Sequence, residues 1–242
     1  MPNHEAALLE TALQLADHSY QAAYDYLKRN YQQLSEGDYV IVFYFLACLA
    51  GGAGQREEAL AWLKLAIDTN GYFYRPAMLA DDDLESLEDL PEFRQLKAAS
   101  ELSYRQALAE SKPVFTHQAK TADNLFIAVH GNGQNLEEAL TDWAPLKNSD
   151  LQLEAVQSAI PDSTGRYRWN YDEENYQNLA EALEKTEALH YQRTILAGFS
   201  AGCDMILRTI AKTGHTCAAI LLPSSCSPPG CPSWKHLRIL QS

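Results

Sequence analysis

A chain of 242 residues, 46% hydrophobic and 21% charged, can form one large domain or two small ones and carries enough apolar material for a real core. Its formal net charge of -13 argues against a nucleic-acid or anionic-membrane partner, either of which wants a basic face. No apolar run reaches the ~20 residues of a membrane span, and the first residues lack the basic start of a secretion signal, so a soluble, cytoplasmic protein is expected.

The five cysteines are an odd number without paired spacing, which reads as reduced thiols. No Cys or His falls in a ligand-like repeat, so no metal is expected. The charge is uneven: all 32 acidic residues lie within residues 1–204, while residues 205–242 hold only the basic Arg208, Lys212, Lys235 and Arg238.

In the front third the apolar residues recur at helical spacing. Leu8, Leu9, Ala12, Leu13 and Ala16 share one face, and Tyr20, Ala23, Tyr24 and Leu27 another, with Ser19 as the N-cap between them. A second helix pair is predicted over residues 39–50 and 57–69, separated by a turn at Gly51, Gly52 and Gly54. Helix pairs of this size point to a stacked repeat.

Residues 39–71 resemble a tetratricopeptide repeat. With Ala59 at the small position of the second helix, Phe43, Leu46, Ala47, Leu63 and Ala66 fall on that family's core positions, and Gly71 stands where it usually has Pro. The stretch 79–96 is similar to the segment that closes such arrays, whereas the first helix pair fits the consensus poorly. Two readings stand: a docking surface for a peptide or partner domain, or helices that pack against the rest of the chain or dimerise. The aromatics Tyr72, Phe73 and Tyr74 divide the same way, between a binding patch and core filler.

Residues 101–112 continue as helix or linker, and Pro113 ends them. The period then changes. The apolar run 125–129 reads as a buried parallel strand, followed by a helix at 136–146, a strand at 151–156, a loop, a helix at 172–188 and a strand at 194–197. This alternation predicts an α/β domain with a parallel sheet. We therefore expect an α-helical repeat module at 1–110 and an α/β domain at 113–242.

The last of these strands runs into Gly198-Phe199-Ser200-Ala201-Gly202, with a helix beyond. A chain that leaves a strand and enters a helix within a few residues strains the central residue, and flanking glycines avoid collision. The serine hydroxyl is pushed out above the carboxyl edge of the sheet, and the Ala201 N–H points to where an oxyanion would form. The alternative is a Ser/Gly turn of some other α/β fold.

Together with His130-Gly131-Asn132-Gly133-Gln134-Asn135 after the first strand, this elbow resembles the α/β-hydrolases of the carboxylesterase, phospholipase and dienelactone-hydrolase-like branch. The resemblance covers roughly residues 114–222. It implies Ser200 as nucleophile and backbone N–H groups of Ala201 and Asn132 (Gly133 next) as oxyanion donors. It further implies a small carboxylic ester or thioester as substrate, no cofactor, and a structural role for His130. Residues 167–172 are similar to an aromatic segment that walls the cleft in that branch, or else simply pack.

Chain order then presents a difficulty. The family places its acid and histidine after the serine, yet beyond Ser200 there is one carboxylate, Asp204, about a turn away. His215 and His236 have no acid in the expected order. After one more strand at 217–222, the last 20 residues hold four of the ten prolines and two of the five cysteines. The expectation is a sheet lacking its last strands, through truncation or an altered frame, with little or no turnover. The competing readings are a non-catalytic protein-interaction module and a second chain that supplies the missing groups.

Overall fold

The computed structural model describes residues 4–34, 39–116, 119–146, 150–170, 173–187 and 189–221. Two compact units divide the chain, Met1–Ala109 and Glu110–Ser242. His236, Cys226, Cys231 and the proline-rich tail lie outside the described residues, as do Tyr171 and Asp172.

The first unit is helical: α1 (His4–Ala16), α2 (Tyr20–Asn30), α3 (Tyr39–Gly52), α4 (Arg56–Lys64) and α5 (Pro91–Glu110). Ser19 starts α2 as expected, its hydroxyl accepting the Ala22 N–H at 3.2 Å. α3 is apolar all round because it is the core of the unit, with Val42, Leu46, Ala47 and Ala50 wholly enclosed. The predicted break at Gly51 and Gly52 does not occur, and the helix runs through both. At Gly51 a Cβ would stand 2.0 Å from the Asp83 carbonyl, so the small residue serves close packing. The turn comes at Gly54, with φ 75°. α4 ends in a π turn, Leu65–Thr69.

The predicted face of α1 is only partly buried: Ala12 is enclosed, but Leu13 stays 47% exposed while Glu5 is buried. Of the aromatics after α4, Tyr74 is wholly buried; its hydroxyl donates to Val40 O at 2.6 Å and its N–H to Ser100 Oγ at 2.9 Å. Tyr74 is therefore core filler.

The second unit is a sheet between two helical layers. Its strands are β1 (Val114–Phe115), β2 (Asn124–Val129), β3 (Leu151–Gln157), β6 (Arg193–Gly198) and β7 (Ala219–Leu221), in spatial order β1-β3-β2-β6-β7. β1 is antiparallel to β3, and the other pairs are parallel. A separate hairpin, β4 (Ile160–Ser163) with β5 (Arg166–Arg168), follows β3.

β2 lies at the centre and is buried on both faces, which is why it reads as an unbroken apolar run. Leu125, Ile127 and Val129 face α7 (Glu173–Glu187) and α8 (Ala201–Thr213). Phe126 and Ala128 face α6 (Leu136–Trp143). β7 ends at Leu221, so the predicted strand end at Leu222 lies outside the described residues. Among the described residues no helix is long and apolar enough to cross a membrane.

The parallel register brings Val129, Val156 and Gly198 to one level. The residues that follow each strand, His130, Ser158 and Ser200, therefore gather at the carboxyl edge of the sheet.

Candidate functional site

β6 stops at Gly198, and the chain reverses into α8 within three residues. Phe199 N–H still reaches Val129 O at 3.3 Å, while Gly202 N–H turns back to Phe199 O at 2.8 Å. Between them Ser200 adopts φ 50° and ψ -120°. These values and the bond from Gly202 to Phe199 make residues 199–202 a turn of the II′ kind, whose first central position favours glycine. Ser200 stands there nevertheless, exposed at the sheet edge.

The surroundings hold it in place. A Cβ at Gly202 would lie 2.4 Å from Val129 O, and one at Gly198 2.6 Å from Cys203 N. Both neighbours are backbone and cannot yield, so the glycines let α8 descend onto the end of β2. Ala201 is the first residue of α8, and a helix's first amides have no intrahelical acceptor.

The loop after β2 meets the elbow directly. A Cβ at Gly131 would lie 3.1 Å from the Phe199 ring, and one at Gly202 would lie 2.7 Å from His130 O. Contact therefore occurs one residue short of Asn132 on one strand and on either side of Ser200 and Ala201 on the other. Within the loop the amides are committed one by one. Gly131 N–H donates to Gln134 Oε1 at 2.7 Å, Gly133 N–H to Tyr167 O at 2.9 Å, and Gln134 N–H to Gly131 O at 3.3 Å. Gly133, the alternative donor, is thus already engaged, whereas among the described residues the Asn132 N–H meets no acceptor.

Other side chains stiffen the loop. Asn135 caps α6 reciprocally with Glu138, each bond 2.9 Å. Arg166, 8% exposed, donates to Gly133 O at 2.8 Å and lies 3.3 Å from Glu138. The Trp169 indole donates to His130 O and its backbone N–H to Asn132 Oδ1, both at 2.8 Å.

His130 is buried and fully engaged. Its Nε2 accepts the Ser158 N–H at 3.1 Å, so the ring proton sits on Nδ1 and donates to Gly131 O at 2.6 Å. Burial pushes its pKa down to about 4, against an opposing pull from the Gly131 carbonyl. A neutral imidazole with both nitrogens occupied cannot serve Ser200 as a base.

His215 lies at the other end of the sheet. It precedes β7, its Nδ1 is 2.7 Å from Thr213 Oγ1, and its Nε2 is 3.5 Å from Glu187. A cavity of about 240 Å³ opens there, lined by His190, Thr194, His215 and Cys217. Thr194 is four residues before Gly198, about 13 Å along a strand, so this cavity is not the cleft of Ser200. Asp204 is exposed on the first turn of α8. Beside it the Cys203 thiol is pushed up to about 11, by burial and then by the Asp204 charge, which leaves it unreactive. Among the described residues no group of three His, Cys, Asp or Glu side chains could hold a metal.

Sequence reasoning passed over Gln134, Ser158 and Arg166, and left Trp169 undecided between cleft wall and packing. Trp169 is 1% exposed and stacks on His130 with centroids 4.9 Å apart, so it is a buried support. A signal was present for the hairpin that delivers it: Thr164-Gly165, with Gly165 at φ 70°, is a tight-turn dipeptide.

Residues 4–109 match the family model described as A/B hydrolase-like, N-terminal domain. No curated protein matches the chain. Among solved structures, an uncharacterized protein from Bacillus cereus ATCC 10987 is similar over 90% of this chain and 72% of its own, at 25% identity and a TM-score of 0.43. A helical N-terminal region of the A/B hydrolase-like kind, followed by a mostly parallel sheet flanked by helices, is consistent with an α/β-hydrolase-like fold.

Proposed function

We propose that residues 110–242 carry a serine-hydrolase site for a carboxylic ester or thioester. Ser200 is its nucleophile, and the Asn132 and Ala201 amides stabilise the oxyanion. The observation that carries this reading is the backbone of Ser200: a non-glycine residue at φ 50° between two glycines whose Cβ atoms would strike backbone. Strain of this kind persists where surroundings over-determine it, and such positions cluster at active sites.

In the reaction, Ser200 Oγ attacks the acyl carbon and the carbonyl oxygen becomes an oxyanion facing the two amides. The bond to the leaving alkoxide or thiolate breaks, and water then releases the acyl group. No cofactor takes part. The proton of Ser200 needs a base, and among the described residues no histidine nitrogen stands ready at that edge. No Asp or Glu follows Asp204 in the sequence, so the acid of a complete triad would come from a partner chain, and the histidine from a partner chain or from residues outside the described ones. Without them only the oxyanion donors and substrate binding act, which in serine proteases leaves ~10³–10⁴ over water.

The test is p-nitrophenyl butyrate hydrolysis by the full chain beside Ser200→Ala, with a fluorophosphonate labelling lane. A small rate that Ser200→Ala lowers supports the reading. A folded chain whose rate and labelling match the variant's favours the second reading, a protein-interaction module built on the helical unit. What supports that alternative is the separate core of α1 to α5, within which the pair α3 and α4 carries the tetratricopeptide-like pattern.

A further inference from the structure

We infer that Trp169 is a positioning residue that sets the direction of the Asn132 amide; this rests on the hydrolase reading. The amide in question belongs to the peptide unit between Gly131 and Asn132. A trans peptide is planar, so its N–H points opposite to its C=O, and among the described residues there is no cis peptide. Whatever holds the Gly131 carbonyl and the two ends of this unit therefore aims the Asn132 N–H.

The carbonyl is held from one side by the His130 Nδ1–H at 2.6 Å and the Gln134 N–H at 3.3 Å. Both ends are held by Trp169. Its indole N–H grips the carbonyl of His130, before the unit, and its own backbone N–H grips the side chain of Asn132, after it, each at 2.8 Å. Its ring also lies against His130, tilted by 26°, and fixes the imidazole that binds the Gly131 carbonyl. One residue thus touches the unit directly on both flanks and indirectly through the histidine.

Trp169 is in turn anchored to the sheet. It follows β5, whose Arg168 carbonyl accepts the hydroxyl of Ser158. The N–H of that same Ser158, just beyond β3, donates to His130 Nε2. The indole therefore carries the register of β3 to the loop after β2. Phenylalanine at 169 keeps the stacking and the backbone bond but cannot donate to His130 O. The unit then loses its hold at the His130 end while the bonds to the Gly131 carbonyl and the Asn132 side chain remain, and the amide drifts off the oxyanion position.

An oxyanion forms only in the transition state, so a misdirected donor lowers kcat and leaves KM unchanged. The experiment compares the full chain, Trp169→Phe, Ser200→Ala and Leu179→Ala on p-nitrophenyl butyrate. Leu179→Ala opens a cavity in the same core, on α7, without removing any hydrogen bond of the loop. We expect Trp169→Phe to lower kcat about 10-fold or more, part of the ~10²–10³ lost with a whole donor, with KM within about 2-fold. Leu179→Ala should lower the melting temperature and keep kcat.

Equal kcat in Trp169→Phe and the unsubstituted chain, with a rate that still depends on Ser200, overturns the role of Trp169 and leaves the hydrolase reading standing. A kcat loss matched by Leu179→Ala also overturns it, because general loosening then accounts for the effect. A rate that does not depend on Ser200 removes both.

Discussion

Ser200→Gly and Ser200→Ala both delete the hydroxyl, so the difference between them isolates the backbone of the elbow. Alanine keeps the Cβ at φ 50° and ψ -120°, whereas glycine visits positive φ freely. A residue held in so sparse a region costs about 1–3 kcal/mol. Glycine avoids that cost but gives up about 0.5–1 kcal/mol through the extra freedom of its unfolded chain. The balance favours Ser200→Gly over Ser200→Ala by about 1 kcal/mol at the middle of these ranges and up to about 2.5 kcal/mol, or about 4–10 °C in Tm for a unit of this size.

Differential scanning calorimetry of the full chain reads this directly. The transition of the hydrolase-like unit should move, and that of the helical unit should stay. Both variants lack the proposed nucleophile, so no change in activity confuses the comparison. A Ser200→Gly protein that melts at or below Ser200→Ala would show that the elbow is relaxed around its side chain, and the argument from strain to function would lose its footing.

Two further outcomes follow from the same edge of the sheet. Gly202→Ala places a Cβ 2.4 Å from Val129 O, on a central strand that cannot move, and should cost about 3 kcal/mol or prevent folding of the unit; a loss below about 1 kcal/mol in urea unfolding would mean that α8 is not seated on β2 as described. His130 has its pKa depressed to about 4, so the unfolded chain binds more protons between pH ~6.5 and 4, and stability falls as pH drops through that window. Between pH 7.5 and 5 the unsubstituted chain should lose about 2 kcal/mol more than His130→Asn; parallel pH profiles for the two proteins would show that the imidazole is not held neutral.

The parts legible in the sequence are those whose geometry is local. β2 appears as an apolar run because a strand buried on both faces needs nothing polar, whereas β3 buries Gln152 and Glu154 within its length. The elbow is legible because its glycines sit beside the residue they serve. The β4–β5 hairpin is not legible in the sequence, since strands of four and three residues containing Ser163, Arg166 and Arg168 show no period. Their pairing is decided by the loop they embrace, more than 30 residues earlier in the chain, as in the bond from Arg166 to Gly133 O.

Trp169 was opaque for the same reason: an aromatic near a glycine-rich turn suits a cleft wall and a buried post equally well. Gly51 and Gly52 mislead because composition suggests a break where close contact with the Asp83 carbonyl at Gly51 and the Tyr20 ring at Gly52 calls for small residues inside a helix. α1 misled in the other direction, with Leu13 on its predicted apolar face left 47% exposed.

The two halves of serine-hydrolase chemistry have different structural origins here. The proposed oxyanion donors are backbone groups. Their placement follows from the shared level of Val129 and Gly198, from the collision-free descent of α8, and from the engagement of the neighbouring amides elsewhere. None of these depends on which residues come after β7. The base and acid, by contrast, are side chains that the family's chain order brings in later. His130 cannot substitute because its neutral form is already part of the scaffold, and His215 cannot because parallel strands put the start of β7 at the opposite edge. In the proposed site a parallel sheet thus places the electrostatic half before the proton-transfer half, and the direction of one amide can be tested apart from the chemistry of a triad.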